Sequence, residues 1–162
     1  MKKVITLSVL LLLGFCFSDN SSGQSNKVPP FRMMMANNKV FMAEDFPVGK
    51  PMLIVYFSPE CEDCHVFIEG MLNRIADFKN VSIAMVTYMT GDIVTKYVIK
   101  NSLTMYTNIY VGTEGNTLFL KNYYNIVTFP FVALYDKNGN LIVKYTTKQV
   151  DLNDLVSRIK KL

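Results

Sequence analysis

Met52-Leu53-Ile54-Val55-Tyr56-Phe57-Ser58-Pro59-Glu60-Cys61-Glu62-Asp63-Cys64 is the stretch on which the fold turns. Residues 52–57 form an apolar run of strand length, and unbroken apolarity means burial on both faces, as at the centre of an α/β sheet. Ser58 and Pro59 end the strand. From Glu62 to about residue 78 the apolar residues take helical spacing, with Val66, Phe67, Met71, Leu72, Ile75 and Ala76 as the inward stripe. Glu62 and Asp63 fall in the first turn, where negative charge suits the helix dipole. Asn80 breaks the helix, and residues 81–88 read as a second buried strand. Strand, helix, strand is a βαβ unit.

Outward from that unit the remaining elements follow. Upstream, residues 39–46 read as a short strand and turn. Downstream, Thr90 or Asp92 caps a second helix that runs to about residue 100, and Ile109-Tyr110-Val111 suits a short strand. Residues 116–124 read as helical, with Leu118, Phe119 and Leu120 turned inward or partly inward. Two apolar runs, 131–135 and 141–145, flank Asp136-Lys137-Asn138-Gly139-Asn140, and Asn-Gly between such runs is a strong hairpin signal. Asp151 caps a final amphipathic helix with Leu152, Leu155, Val156 and Ile159 on one face. This alternation predicts an α/β fold with a central sheet in one domain over 39–162, entered through a linker over 24–38. Met33-Met34-Met35 lies in that linker and reads as flexible apolar packing at the domain entrance.

The first 23 residues read as an export signal. Lys2 and Lys3 form a positive n-region, and residues 4–17 are almost wholly apolar. That run is shorter than the ~20 residues a membrane span requires. Two processing routes stay open. Ser21 and Gly23 suit a cut before Gln24. Alternatively, Leu13-Gly14-Phe15-Cys16 resembles a lipobox and makes Cys16 a candidate lipid anchor, although Phe15 is bulkier than the usual small residue. Either route predicts an exported protein, periplasmic or tethered to the membrane on its periplasmic side.

The chain has 162 residues and a formal net charge of +4, which loss of the signal lowers to about +2 or +3. Its Lys and Arg residues are scattered with no basic stripe, so nucleic acid is not expected as a partner.

Without Cys16 the domain holds two cysteines, Cys61 and Cys64. A disulfide between them would close a very small loop and constrain little chain entropy, so a purely structural role explains the pair poorly. Their position explains more. A helix N-terminus offers unsatisfied N–H groups and a positive dipole end, which stabilise a thiolate on the first cysteine. The spacing lets the second attack a mixed disulfide. His65, the chain's one histidine, extends the motif to Cys61-x-x-Cys64-His65. That spelling also matches c-type haem attachment, and the three side chains are soft enough donors for copper or zinc. Haem binding and copper handling are therefore the rival readings. His65 could also tune the neighbouring thiolate if protonated.

Residues 39–162 resemble the thioredoxin superfamily, in particular the exported TlpA-like thioredoxins of bacteria. The resemblance is carried by the strand that precedes the cysteines, by the segment from Ser58 to Cys64, and by Thr128-Phe129-Pro130 ahead of the hairpin. It implies a thioredoxin-like fold, a central mixed sheet flanked by helices on both faces, and a thiol–disulfide oxidoreductase with Cys61 and Cys64 as the redox pair. It also implies a cis proline at Pro130 against the cysteines, with Phe129 offering backbone groups to an extended substrate segment. No bound cofactor and no metal is implied. The implied partners are disulfide-containing exported proteins and an upstream thiol electron donor at the membrane. The sequence departs from the family where Glu62 follows the first cysteine in place of Gly or Pro, and where Val55 stands in place of a buried acid. The Trp that precedes the family's motif is also missing. Glu62 and Asp63 beside Cys61 oppose a thiolate, which points to a reducing or isomerising pair over a strong oxidant.

Overall fold

The computed structural model describes residues 26–147 and 149–162. The segment read as an export signal, residues 1–23 with Cys16, lies outside the described residues. The elements in chain order are β1 (Arg32–Met35), β2 (Val40–Met42), β3 (Met52–Tyr56), α1 (Glu62–Asn73), β4 (Ser82–Thr87), α2 (Gly91–Lys100), β5 (Ile109–Thr113), α3 (Phe119–Tyr123), β6 (Phe131–Tyr135), β7 (Leu141–Tyr145) and α4 (Leu152–Ile159). Single turns of 3-10 helix punctuate the connections, as at Ile75–Phe78, where α1 has already ended.

The strands form one mixed sheet in the order β2-β1-β5-β4-β3-β6-β7. β3, β4 and β5 run parallel, whereas β6 is antiparallel to β3 and β1 to β5. β3, β4 and β6 are buried at every residue, as expected for strands covered on both faces. Alternation along the strand sorts the side chains. Leu53, Val55 and Phe57 face a layer built from α1, α2 and α4, while Ile54 and Tyr56 face a second layer that includes α3 and is rich in aromatic rings. The flanking is thus unequal, with three helices on one face and the short α3 on the other. This is the thioredoxin-like architecture.

The domain begins earlier than residue 39. Residues 32–35, assigned to the linker by sequence, are β1, and they pair with both β2 and β5. Phe31 and Met33 are buried in the second layer. Three consecutive methionines conceal the strand's alternation, since Met34 is exposed but chemically the same as its neighbours. Gly112 makes the pairing close: a Cβ there would sit 2.8 Å from both the Met33 side chain and the Met34 carbonyl oxygen. Further upstream, Lys27 bridges to Asn140, and the Val28 amide donates to the Gly139 carbonyl.

Two helix faces also differ from the sequence reading. Val66 is exposed, and Ile68 takes the inward place beside Phe67 and Met71. Phe119 is exposed and stacks on Tyr123, leaving Leu120 as the buried residue of α3. In the hairpin, Gly139 supplies the positive φ that the turn needs. The Asp136 carboxylate accepts from the Asn138 and Asn140 amides.

The buried phenols make stability depend on alkaline pH. Burial pushes Tyr97 and Tyr135 up to about 12, with Cys64 adding to the effect at Tyr97 and Tyr123 at Tyr135. Burial also raises Tyr56 and Tyr124. An unfolded tyrosine titrates near pH ~10. A phenol whose folded value lies above that contributes stability that is whole below pH ~10 and is lost as pH climbs toward the folded value. The melting temperature is therefore expected to fall steeply between pH ~10 and ~12. A flat calorimetric profile across that window would contradict this.

Candidate active site

β3 delivers the chain to the site. Its hydrogen bonding continues one residue further, as the Phe57 amide donates to the Val86 carbonyl. The turn over Ser58, Pro59 and Glu60 is closed by the Cys61 amide, which donates to the Ser58 carbonyl at 3.1 Å. Cys61 is the N-cap of α1. Its backbone is extended, and its sulfur accepts from the Cys64 amide at 3.2 Å. A sulfur thus takes the place that Ser or Asp commonly fills, so the orphan N–H of the first turn and the dipole both act on it.

The two sulfurs have different surroundings. Cys61 is half-buried and open to solvent, whereas Cys64 is fully buried against the first layer. Burial pushes the Cys64 thiol far above its ordinary range, with the neighbouring Cys61 sulfur adding to the shift. Such a thiol stays protonated until something approaches it. The pair is therefore asymmetric, with one accessible sulfur at a helix mouth and one sheltered sulfur behind it.

Opposite Cys61 lies the loop that leads into β6. The Phe129–Pro130 peptide is cis. The Cys61 thiol donates to the Phe129 carbonyl at 3.8 Å, a long contact of the kind a weak S–H donor makes. Thr128 ties the loop to the end of β7 by donating to the Thr146 carbonyl. Val127, beside it in the chain, is 88% exposed, so an apolar side chain of this loop stands in solvent. The Phe129 ring stacks on Tyr56 and on Tyr88, with centroids 6.0 and 5.9 Å apart.

Glu62 is exposed and Asp63 half-buried in the first turn of α1. His65 turns away from the sulfurs. Its Nε2–H donates to the Pro59 carbonyl at 2.7 Å, and its ring stacks on Tyr97. It lines a cleft of about 580 Å³ together with Pro59, Ile68, Leu72 and Tyr97. Among the described residues no group of three or more His, Cys, Asp or Glu side chains is arranged to hold a metal ion. Thioether attachment of haem would need an accessible Cys64, and that sulfur is sealed beneath α1. Val55, where the resemblance implied a buried acid, lies in the apolar first layer.

Three residues near the site carry no motif in the sequence: Tyr56, Tyr88 and Glu114. Glu114 is a buried acid at the end of β5, and its carboxylate accepts from the Tyr56 hydroxyl at 2.5 Å and from the Leu120 amide at 2.7 Å. A lone Glu after a short strand gives no sequence signal of burial, because its partners come from β3 and α3.

No protein-family profile matches the chain, and no curated protein matches it in sequence. Solved structures do match. A secreted Mycobacterium tuberculosis disulfide oxidoreductase homologous to E. coli DsbE is 18% identical, with a TM-score of 0.66 over 82% of this chain and 96% of that one. A thiol peroxidase from Chromobacterium violaceum is 13% identical, with a TM-score of 0.70 over 83% of each chain. The thioredoxin domain of a thiol-disulfide oxidoreductase from Bacteroides vulgatus is 20% identical, with a TM-score of 0.67 over 83% of this chain and 94% of that one. At these identities the likeness is one of fold.

Proposed function

We propose that this chain is a thiol–disulfide oxidoreductase that reduces or isomerises disulfides in exported proteins through Cys61 and Cys64. The observation that carries the reading is the asymmetry of the pair: Cys61 open at the N-cap of α1 and Cys64 buried, with the Cys64 amide on the Cys61 sulfur. Structural likeness to a secreted disulfide oxidoreductase supports the reading, and so does the signal-like sequence over residues 1–23.

Cys61, as thiolate, attacks one sulfur of a substrate disulfide. That bond breaks, a Cys61–substrate disulfide forms, and the displaced substrate thiolate takes a proton from solvent. The substrate segment lies extended along Phe129 and Pro130, pairing with their backbone. Cys64 then loses its proton and attacks the Cys61 sulfur. The second substrate thiol leaves, and a Cys61–Cys64 disulfide remains. Two electrons and two protons have passed to the substrate. A thiol protein at the membrane returns them. The buried state of Cys64 suits this order, because a protonated inner thiol does not compete for the first attack.

Glu62 and Asp63 place negative charge beside Cys61 and make the reduced pair the better electron donor. The Cys61–Cys64 couple is expected to lie at or below the potential of protein disulfide isomerase, roughly −180 mV. Equilibration with glutathione buffers measures it. A value well above that figure would make the protein an oxidant and overturn the reductase or isomerase reading.

A further inference from the structure

We infer that Glu114 and Tyr56 are positioning residues for the redox centre, and that they set the Phe129 carbonyl against Cys61. The inference deepens the thiol-exchange reading and rests on it.

Its basis is a continuous set of contacts from a buried carboxylate to the accessible sulfur. Glu114 is 6% exposed. A buried carboxylate is costly unless its oxygens are fully bonded. Here one oxygen accepts from the Tyr56 hydroxyl at 2.5 Å and, more weakly, from the Lys121 amide at 3.4 Å, while the other accepts from the Leu120 amide at 2.7 Å. The hydroxyl of Tyr56 is thereby anchored. Burial and the Glu114 bond both hold this phenol in its protonated, donating form. Its ring stacks on Phe129, and the Phe129 carbonyl receives the Cys61 thiol. A second route reaches the same ring from α3: the Lys121 ammonium lies 5.4 Å from the centre of the Tyr88 ring, which also stacks on Phe129.

Capping α3 does not require Tyr56. A helix cap would bind the Leu120 and Lys121 amides and stop there. The charged acceptor instead reaches across to β3, the strand that leads directly into the cysteine motif. A bond to a charged acceptor is stronger and more directional than a neutral one, which suits a strut that must hold an aromatic ring in one orientation. The strut fixes two properties of Phe129 together. One is the carbonyl that accepts from the Cys61 thiol. The other is the backbone edge along which an extended substrate segment would pair.

Loosening the strut should move these two properties in opposite directions. With the carbonyl displaced, the Cys61 sulfur loses the loop contact that occupies it, so a small electrophile reaches it more readily. A peptide substrate meets a disordered docking edge and reacts more slowly. A residue that merely stabilises the fold would produce neither change.

The test compares Tyr56→Phe and Glu114→Gln with Asn108→Ala in the full-length chain. Asn108 donates to the Phe78 and Val81 carbonyls at the other end of the sheet, so its loss destabilises the fold away from the site. Two rates are read: alkylation of Cys61 by iodoacetamide, located by mass, and stoichiometric reduction of a synthetic peptide disulfide by the reduced protein. For Tyr56→Phe and Glu114→Gln, alkylation is expected to rise several-fold and peptide reduction to fall about tenfold. For Asn108→Ala both rates stay within about twofold of the parent while the melting temperature drops. If the two site variants behave like Asn108→Ala, with stability lost and both rates unchanged, the inference is overturned. Should Glu114→Gln fail to fold, Tyr56→Phe alone decides. An unaltered protein that cannot reduce the peptide at all would sink the thiol-exchange reading instead, and the alkylation rates would still decide the role of the strut.

Discussion

A full-length Cys64→Ser chain is expected to accumulate as mixed disulfides with other proteins, and a Cys61→Ser chain to form none. The two variants interrupt one sequence of steps at different points. In the proposed order Cys61 makes the first attack, because it is the solvent-accessible sulfur and sits where the first-turn N–H groups favour negative charge. Its loss removes the nucleophile, and disulfide reduction should fall by about 10³-fold or more, to the background of uncatalysed exchange. Cys64 acts second. Replacing it leaves the first attack intact but removes the thiol that would release the substrate, so the covalent adduct persists. Non-reducing gels, with mass spectrometry of the trapped partners, read both outcomes. If neither variant carries adducts, or if Cys61→Ser carries as many as Cys64→Ser, the assigned order of attack is wrong.

The second large effect concerns where the domain starts. A chain beginning at Lys39 is expected not to fold, whereas a chain beginning at Asn26 folds normally. Deleting residues 26–38 removes Phe31 and Met33, both buried to about 1% exposure in the second layer. Each vacated side chain costs roughly 2–5 kcal/mol by analogy with large-to-small core substitutions. Together they approach the whole stability of an ordinary domain, about 5–15 kcal/mol. The deletion also strips β1 from β5 and removes the strand with which β2 pairs. Exposed strand edges of that kind invite aggregation. Thermal unfolding followed by circular dichroism discriminates the outcomes: the shorter chain should show no cooperative transition. A two-state melt close to that of the longer chain would show that β1 and β2 are dispensable.

The same two regions show what can be read from a linear chain and what cannot. The parallel core was legible because each of its signals is local. Residues 52–57 and 81–88 are apolar runs of strand length, and Asn138-Gly139 sits between two further runs; no distant contact is needed to interpret either pattern. The position of Cys61 at a helix mouth was legible for the same reason, since strand end, turn and helix start are adjacent in sequence. β1 was not legible. In Met33-Met34-Met35 the inward and outward residues are chemically identical, so alternation leaves no trace, and pairing with β2 and with Gly112 and Thr113 of β5 makes the segment a strand. Val66 and Ile68 look equally apolar in the chain, and which one faces inward depends on how α1 is rotated against the sheet.

By itself, the sequence determined the strand and helix order of the core, the hairpin, the cap of α4, and two cysteines at the start of a helix. Those features arise from interactions between residues a few positions apart, which leave a periodic or punctuated record. The tertiary structure alone decided that Cys64 is sealed while Cys61 is open, that His65 faces Pro59 and Tyr97 and not the sulfurs, and that Glu114 reaches Tyr56 behind Phe129. Burial and side-chain partnership depend on groups brought together from distant parts of the chain, and no local pattern encodes which groups those will be.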